Sequence, residues 1–379
     1  MLVGLSALLV AASASSSSAA SGAPPACARH AAGPRLPAAL RLTTACATYT
    51  VSRDGRVHAS TTPRRIGEGI SWMATAGNGA PVVQRGPEIA VVAHGKTVWR
   101  SRGHFKANGV FALVGPRVVA FTYLGPFTKH GEQTALYLAP FGGTERRIAS
   151  DEYPLGWTAD GNLLTWGHGI QLRTPGGRPL RRVLSRSRQV QFDQQTRTLL
   201  AISHRNVLER YRNGRWSTVA NLTRLGLNRH PGFQQLAGGL IGLVDRERVT
   251  VLRHNGSPFA SARFHSGQVA GFSGLVANAA GAAVAFVVTH GTPAQGHGRQ
   301  TVELLRAGDR RATLLHTGTV PLGCGAWTTL AWHNHWLIDS AAGGQTLLLD
   351  TTTRKRPVDL TPLVHQLAPN SNPERIVWA

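Results

Sequence analysis

The chain has 379 residues, 42% of them hydrophobic, with 43 Gly and 21 Pro. There is apolar mass for a large core, and the two helix breakers recur at short intervals along the chain, which favours many turns over long helices. Lys96, Lys106, Lys129 and Lys355 are the only lysines, so the net charge of +23 is an arginine charge; GC-rich codon usage and an anionic partner both account for such a skew.

In chain order, the first feature is the apolar run Leu2 to Ala12, followed by a Ser/Ala tract with small-x-small sites from Ala12-Ser13-Ala14 to Ala23. Residues 1–26 therefore read as an export signal, although no Lys or Arg precedes the run. The expected location is extracytoplasmic, secreted or associated with the cell surface. The run is too short for a permanent membrane span, and no other stretch qualifies. Residues 27–47 form an Ala/Pro-rich arm. Cys27, Cys46 and Cys324 are too few for a disulfide framework and too scattered for a zinc site. In an oxidising compartment Cys27 and Cys46 are the nearest pair and are expected to form a disulfide, leaving Cys324 buried and unmodified.

From Thr48 a period-2 alternation begins and continues to the C-terminus, in units of roughly 35 to 55 residues. Seven strongly apolar segments stand as the second strands of these units: 88–93, 117–121, 162–166, 198–202, 239–244, 282–288 and 335–338. Each is followed by an amphipathic third strand, as at Ile170-Gln-Leu172 and Val249-Thr-Val-Leu252.

The stretch Gly156-Trp157-Thr158-Ala159-Asp160-Gly161-Asn162-Leu163-Leu164 resembles the W-S-P-D-G-x-x-L-A element of TolB-like and WD40-like propeller blades. Phe192-Asp193 with Leu199-Leu200-Ala201 is a degenerate copy. The resemblance implies that Asp-Gly turns the chain between the first and second strands of a blade, and that residues 48–379 form an all-β propeller of seven blades. The short final strand Ile376-Val377-Trp378 is expected to close the ring by joining N-terminal strands near Tyr49 to Ser60, hiding the open edges.

No Gly-x-Ser-x-Gly elbow, His-Glu-x-x-His, phosphate loop or dinucleotide fingerprint is present in the sequence. His94-Gly95, Lys129-His130-Gly131, His168-Gly169, His204 and His290-Gly291 follow second strands, where left-handed turn chemistry accounts for them better than a shared ion. His333 and His335 in Trp332-His333-Asn334-His335-Trp336 share one face if the segment is a strand, which makes them the only metal candidates. No cofactor is expected.

Residues 173–229 hold 13 Arg against Asp193 and Glu209, net +11. Arg178, Arg181, Arg182, Arg186 and Arg188 crowd one outer strand and loop. Arg212 and Arg215 flank a two-residue hairpin tip with Tyr211 opposite Trp216. Basic groups beside aromatics grip anionic polymers; a solvated rim is the alternative. The expectation is an exported, monomeric, non-catalytic binding module for an anionic polymer or a protein. The rival is a secreted lyase or hydrolase with its site at the channel mouth.

Overall fold

The computed structural model describes residues 31–43, 48–60, 64–67, 82–85, 88–93, 96–101, 109–128, 131–167, 169–184, 189–193, 196–227, 231–245, 247–264, 268–269, 274–291, 296–321, 328–341, 344–353, 355–367 and 375–378. Apolar residues at alternate positions, punctuated by glycine turns, fold here into eight antiparallel sheets.

Blade 1 joins the two ends of the chain. Its outer strands are β1 (Leu40–Thr43), β2 (Thr48–Val51) and β3 (Val57–Ser60), and its innermost strand is β33 (Arg375–Trp378). Blade 2 is β4 (Arg64–Gly67), β5 (Val82–Arg85), β6 (Glu88–Ala93) and β7 (Lys96–Arg100). Blade 3 is β8 (Gly109–Val114), β9 (Val118–Thr128), β10 (Gly131–Pro140) and β11 (Arg146–Ser150). Blade 4 is β12 (Tyr153–Trp157), β13 (Leu163–Trp166), β14 (Ile170–Arg173) and β15 (Pro179–Leu184). Blade 5 is β16 (Gln189–Asp193), β17 (Thr198–Ile202), β18 (Val207–Arg212) and β19 (Arg215–Asn221). Blade 6 is β20 (Gly232–Leu236), β21 (Leu240–Asp245), β22 (Arg248–Arg253) and β23 (Pro258–Arg263). Blade 7 has a split first strand, β24 (Gln268–Val269) and β25 (Leu275–Ala277), then β26 (Ala283–His290), β27 (His297–Arg306) and β28 (Thr313–Pro321). Blade 8 is β29 (Thr328–His333), β30 (Trp336–Ala341), β31 (Thr346–Asp350) and β32 (Val358–Asp359), followed by the short helix α1 (Thr361–Leu367).

First strands of neighbouring blades pack together, as β8 does with β4 and β12, and β29 with β25 and β33. They form the inner wall of a β-propeller whose blades radiate outward. The core is divided among the seams. Trp99 stacks on Phe121 at 4.5 Å between blades 2 and 3. Phe286 and Phe259 lie in the cluster between blades 6 and 7, and Ile376 joins Leu40, Ile338 and Leu348 between blades 8 and 1.

Three indoles tie one blade to the next by donating to a backbone carbonyl: Trp157 to Leu113 at 3.3 Å, Trp216 to Val183 at 3.2 Å and Trp378 to Ala331 at 3.2 Å.

The ring closed by its two ends is as expected, but it holds eight blades. Strand placement also differs from the expectation at two points. The segment Glu88–Ala93 is the third strand of its blade, because β4 and β5 precede it; the other six apolar segments are second strands. The closing strand pairs with β1, in the register Leu40↔Trp378 to Thr43↔Arg375, and not with the strands at Tyr49 to Ser60. Leu40 and Leu42 are the only alternation in that strand, so Ala and Pro around it mask the signal. The closing sheet is thus a whole blade beyond the seven units.

Candidate functional site

An antiparallel blade fixes where its turns open. Turns between first and second strands, and between third and fourth, lie on one side of the disc; those between second and third strands lie on the other.

The Asp-Gly motif makes a first-to-second turn, as the resemblance implied. Asn162 N donates to Thr158 Oγ1 at 3.0 Å, Gly161 N donates to Thr158 O at 3.0 Å, and Gly161 sits at φ 77°. Arg197 Nη1, from the equivalent turn of blade 5, donates to Thr158 O at 2.8 Å.

Part of the basic sector expected between residues 173 and 229 lies at the outer edge of blades 4 and 5, whereas Arg173 is buried against Glu152 and Arg205 and Arg224 are exposed on the opposite side of the disc. Arg178, Arg181 and Arg182 are exposed on or beside β15, and Arg212 and Arg215 are exposed at the tip joining β18 to β19. That tip is the two-residue turn Asn213-Gly214, with φ 49° and 81°. Tyr211 and Trp216 pair across it, ring centroids 5.3 Å apart. Both aromatics serve the seam. Tyr211 is buried, its hydroxyl accepts from Arg181 Nη2 at 2.7 Å, and Trp216 is half-buried against Val183. The face this sector offers is therefore guanidinium, not exposed aromatic. Arg210 is pushed below its ordinary pKa by burial and then by the neighbouring Arg212. Arg186 and Arg188 lie outside the described residues, as do Cys27, Cys46 and Cys324.

The sector is one arc of a larger pattern. At the turn between third and fourth strands every blade carries an exposed Lys or Arg: Arg53 and Arg56 in blade 1, Lys96 in blade 2, Arg146 in blade 3 and Arg178 in blade 4. Arg212 and Arg215 follow in blade 5, Arg253 in blade 6, Arg306, Arg310 and Arg311 in blade 7, and Lys355 and Arg356 in blade 8. Six of these turns contain a glycine at positive φ, from 68° at Gly142 to 88° at Gly256, a conformation that glycine adopts without strain. The signal was present in sequence as glycine turns bracketed by cations, such as Arg53-Asp-Gly-Arg56 and Arg212-Asn-Gly-Arg215.

Three carboxylates at these turns, those of Asp54, Asp309 and Asp350, are committed to turn geometry. Asp309 Oδ2 accepts from Arg306 N at 2.7 Å. Asp350 caps Thr352 and Thr353; burial raises its pKa, but those hydrogen bonds outweigh it and hold the carboxyl at about 2. Asp54 accepts from Ser52 Oγ at 2.5 Å and pairs with Arg56 at 3.0 Å. A cationic collar follows around the outer edge of one face.

Among the described residues the histidines do not converge. His333 and His335 lie on either side of Asn334, whose φ of 53° turns the chain between β29 and β30. The segment is thus a turn and not a strand, because Trp332 and Trp336 sit on the two arms of a hairpin. His333 packs on Trp378 and His335 on Trp336, with centroids 5.3 and 5.0 Å apart. His204 is exposed, and Asn206 takes the left-handed conformation of its turn at φ 59°. His94, His130 and His168 lie outside the described residues. Among the described residues no three His, Cys, Asp or Glu side chains are placed to hold a metal ion.

One buried polar network was missed from sequence. Gln300 on β27 donates from Nε2 to Asp339 Oδ1 and Oδ2 at 3.0 and 3.1 Å, and Thr328 Oγ1 donates to Gln300 Oε1 at 3.2 Å. All three are buried at the seam of blades 7 and 8. Burial pushes the Asp339 carboxyl up to about 7, partly offset by Gln300.

No family model matches the chain, and no curated relative matches it. Solved structures do. AztD from Citrobacter koseri, in its apo form, superposes with a TM-score of 0.53 at 10% identity, over 90% of this chain and 98% of that one. The fold is that of the β-propeller proteins. BamB from Moraxella catarrhalis gives 0.43 at 13% identity, covering 86% and 95% of the two chains. Hsv2 from Kluyveromyces lactis gives 0.44 at 10% identity, covering 71% and 89%. The likeness to propeller repeats thus holds at the level of fold.

Proposed function

We propose that this propeller is an extracytoplasmic binding module for an anionic partner, held electrostatically at the outer edge of blades 4 and 5. The observation that carries the reading is the set of exposed Arg178 and Arg182, beside and on β15, with Arg212 and Arg215 at the tip joining β18 to β19. Arginine forks match carboxylate and phosphate, and charge of one sign in a continuous arc attracts a polyanion through counterion release. The leader-like residues 1–26 support export, and Cys27 with Cys46 would form a disulfide in that compartment.

The test is retention on an anionic resin as salt is raised. The quadruple change of Arg178, Arg182, Arg212 and Arg215 to Ser is expected to lower the slope of log affinity against log salt. Changing Arg205, Arg224, Arg263 and Arg299, exposed on the opposite side of the disc, should lower it less. Equal losses would mean that the protein is merely basic, and the site would be dropped.

A further inference from the structure

The collar has two properties that an isolated basic patch lacks. It runs around the whole circumference of one face, since every blade contributes at least one exposed cation at the turn between its third and fourth strands. It also coincides with exposed apolar side chains. Among the described residues the exposed large hydrophobics are Phe141, Leu180 and Leu314, at 40, 45 and 57% exposure. Phe141 lies in the third-to-fourth turn of blade 3. Leu180 and Leu314 are each the second residue after that turn, in blades 4 and 7. The apolar side chains that the fold leaves in water thus stand at the same edge as its cations.

The opposite face differs in its exposed apolar residues. Its turns between second and third strands hold, among the described residues, Arg205 with His204 in blade 5 and Glu247 beside Asp245 in blade 6. Arg205, Arg224, Arg263 and Arg299 are exposed on that side as well, but no exposed large apolar residue accompanies them among the described residues.

A single polymer chain needs one groove, and an arc over two blades would serve it. Cations spaced around a full ring contact a ligand only if that ligand is as broad as the disc. Apolar side chains between them gain nothing from a hydrated polymer but are stabilised in the interfacial zone of a bilayer, where basic and apolar residues act together. We infer that the collar face docks flat on an anionic lipid bilayer, with phosphate headgroups meeting the ring of Arg and Lys and with Phe141, Leu180 and Leu314 entering the headgroup boundary. This rests on the reading of an anionic partner and extends its contact from two blades to the entire face. The contact is peripheral: no helix among the described residues is long and apolar enough to cross a membrane.

The experiment is co-sedimentation of the full chain with vesicles of phosphatidylcholine alone, and of phosphatidylcholine mixed with phosphatidylglycerol, with dextran sulfate as a soluble polyanion in parallel. The decisive variant changes Arg310, Arg311, Lys355 and Arg356 to Gln, far from the sector of blades 4 and 5. Its control changes Arg205, Arg224, Arg263 and Arg299 to Gln on the opposite face, with the same loss of charge. All eight residues are exposed, and matching melting curves show that the folds are intact.

Binding to the anionic vesicles is expected to fall about tenfold or more for the collar variant and less than about twofold for the control, given the contribution of each surface cation. Leu314→Ser should weaken vesicle binding without changing its salt slope. Equal losses for the two quadruple variants overturn the inference. Binding to dextran sulfate through blades 4 and 5, with no partition to vesicles, also overturns it while leaving the anionic-partner reading intact. Binding to neither polyanion removes both.

Discussion

Gln300 on β27 places its amide nitrogen 3.0 and 3.1 Å from the two carboxyl oxygens of Asp339 on β30, joining blade 7 to blade 8 through a buried contact. The pair has a consequence for stability. The Asp339 carboxyl stands at about 7 in the folded chain because of burial, against 3.8 in the ordinary state. A raised carboxyl means that the folded state holds its proton over a range where the unfolded state has lost it. Folding is therefore most favoured below pH 3.8 as far as this group is concerned, and loses free energy as pH climbs from there to about 7. The change is on the order of 4 kcal/mol. Asp339→Asn keeps an acceptor for Gln300 and removes the titration. Melting temperatures of both proteins at pH 5 and pH 8 should show the variant gaining on the parent as pH rises. A constant difference across that range would show that Asp339 titrates normally.

Ring closure rests on four residues at the end of the chain. Ile376 is buried at 2% exposure among Leu40, Leu42 and Leu348, and Trp378 donates to Ala331 O at 3.2 Å. Ile376→Ala opens a cavity at the seam and is expected to cost about 2 to 5 kcal/mol. Chemical denaturation measures it. Arg41, exposed on the partner strand β1, provides a comparison: Arg41→Ala should cost less than about 0.5 kcal/mol. Equal effects would mean that the final strand is peripheral to the fold.

Two glycines of the Trp-Thr-Ala-Asp-Gly blade motif are held for different reasons. A Cβ on Gly156 would lie 1.9 Å from Phe192 Cδ1, so the first strand of blade 4 approaches blade 5 with no room for a methyl group. Gly161 meets nothing within 4 Å but stands at φ 77°. Gly156→Ala is expected to lose about 3 kcal/mol or more through overpacking, and Gly161→Ala about 1 kcal/mol through backbone strain. Thermal melts of the pair test the order. A larger loss at Gly161 would mean that the turn, not the seam, limits stability.

The same motif shows what sequence carries and what it conceals. Trp157 to Leu164 announced a blade because turn chemistry is local: Thr158, Gly161 and Asn162 satisfy one another within four residues. The partner of Ile376 was misplaced because pairing between chain ends is nonlocal and Leu40-Arg-Leu-Thr43 is too short an alternation to stand out among Ala and Pro. Period-2 spacing makes His333 and His335 strand neighbours and does not reveal a turn centred on Asn334. The Asp339 network was invisible, since Gln300, Thr328 and Asp339 meet only across a seam. The collar was legible in principle, as a glycine turn with a cation beside it in most units. It emerges once topology puts those turns on one face.

Arginine has two roles in this chain, and one comparison separates them. Arg173 is buried in blade 4. It meets Glu152 Oε1 at 2.7 Å and Oε2 at 3.2 Å, and donates to Gly177 O at 3.0 Å, with side-chain exposures of 7 and 20% for Arg173 and Glu152. Arg306 is exposed on the collar and donates from Nη2 to Thr351 O at 3.2 Å, linking blade 7 to blade 8. Removing Arg173 leaves a carboxylate poorly solvated and without its cation, which costs about 3 to 5 kcal/mol for a buried pair. Removing Arg306 returns a carbonyl to water, at a cost of about 0.5 to 1.5 kcal/mol. Arg173→Gln should therefore destabilise the protein severalfold more than Arg306→Gln in urea unfolding, while binding to anionic vesicles should respond in the reverse order. If Arg306→Gln proves as costly to stability as Arg173→Gln, the collar arginines serve chiefly to hold adjacent blades together, and their charge would have to be explained by folding before any partner is invoked.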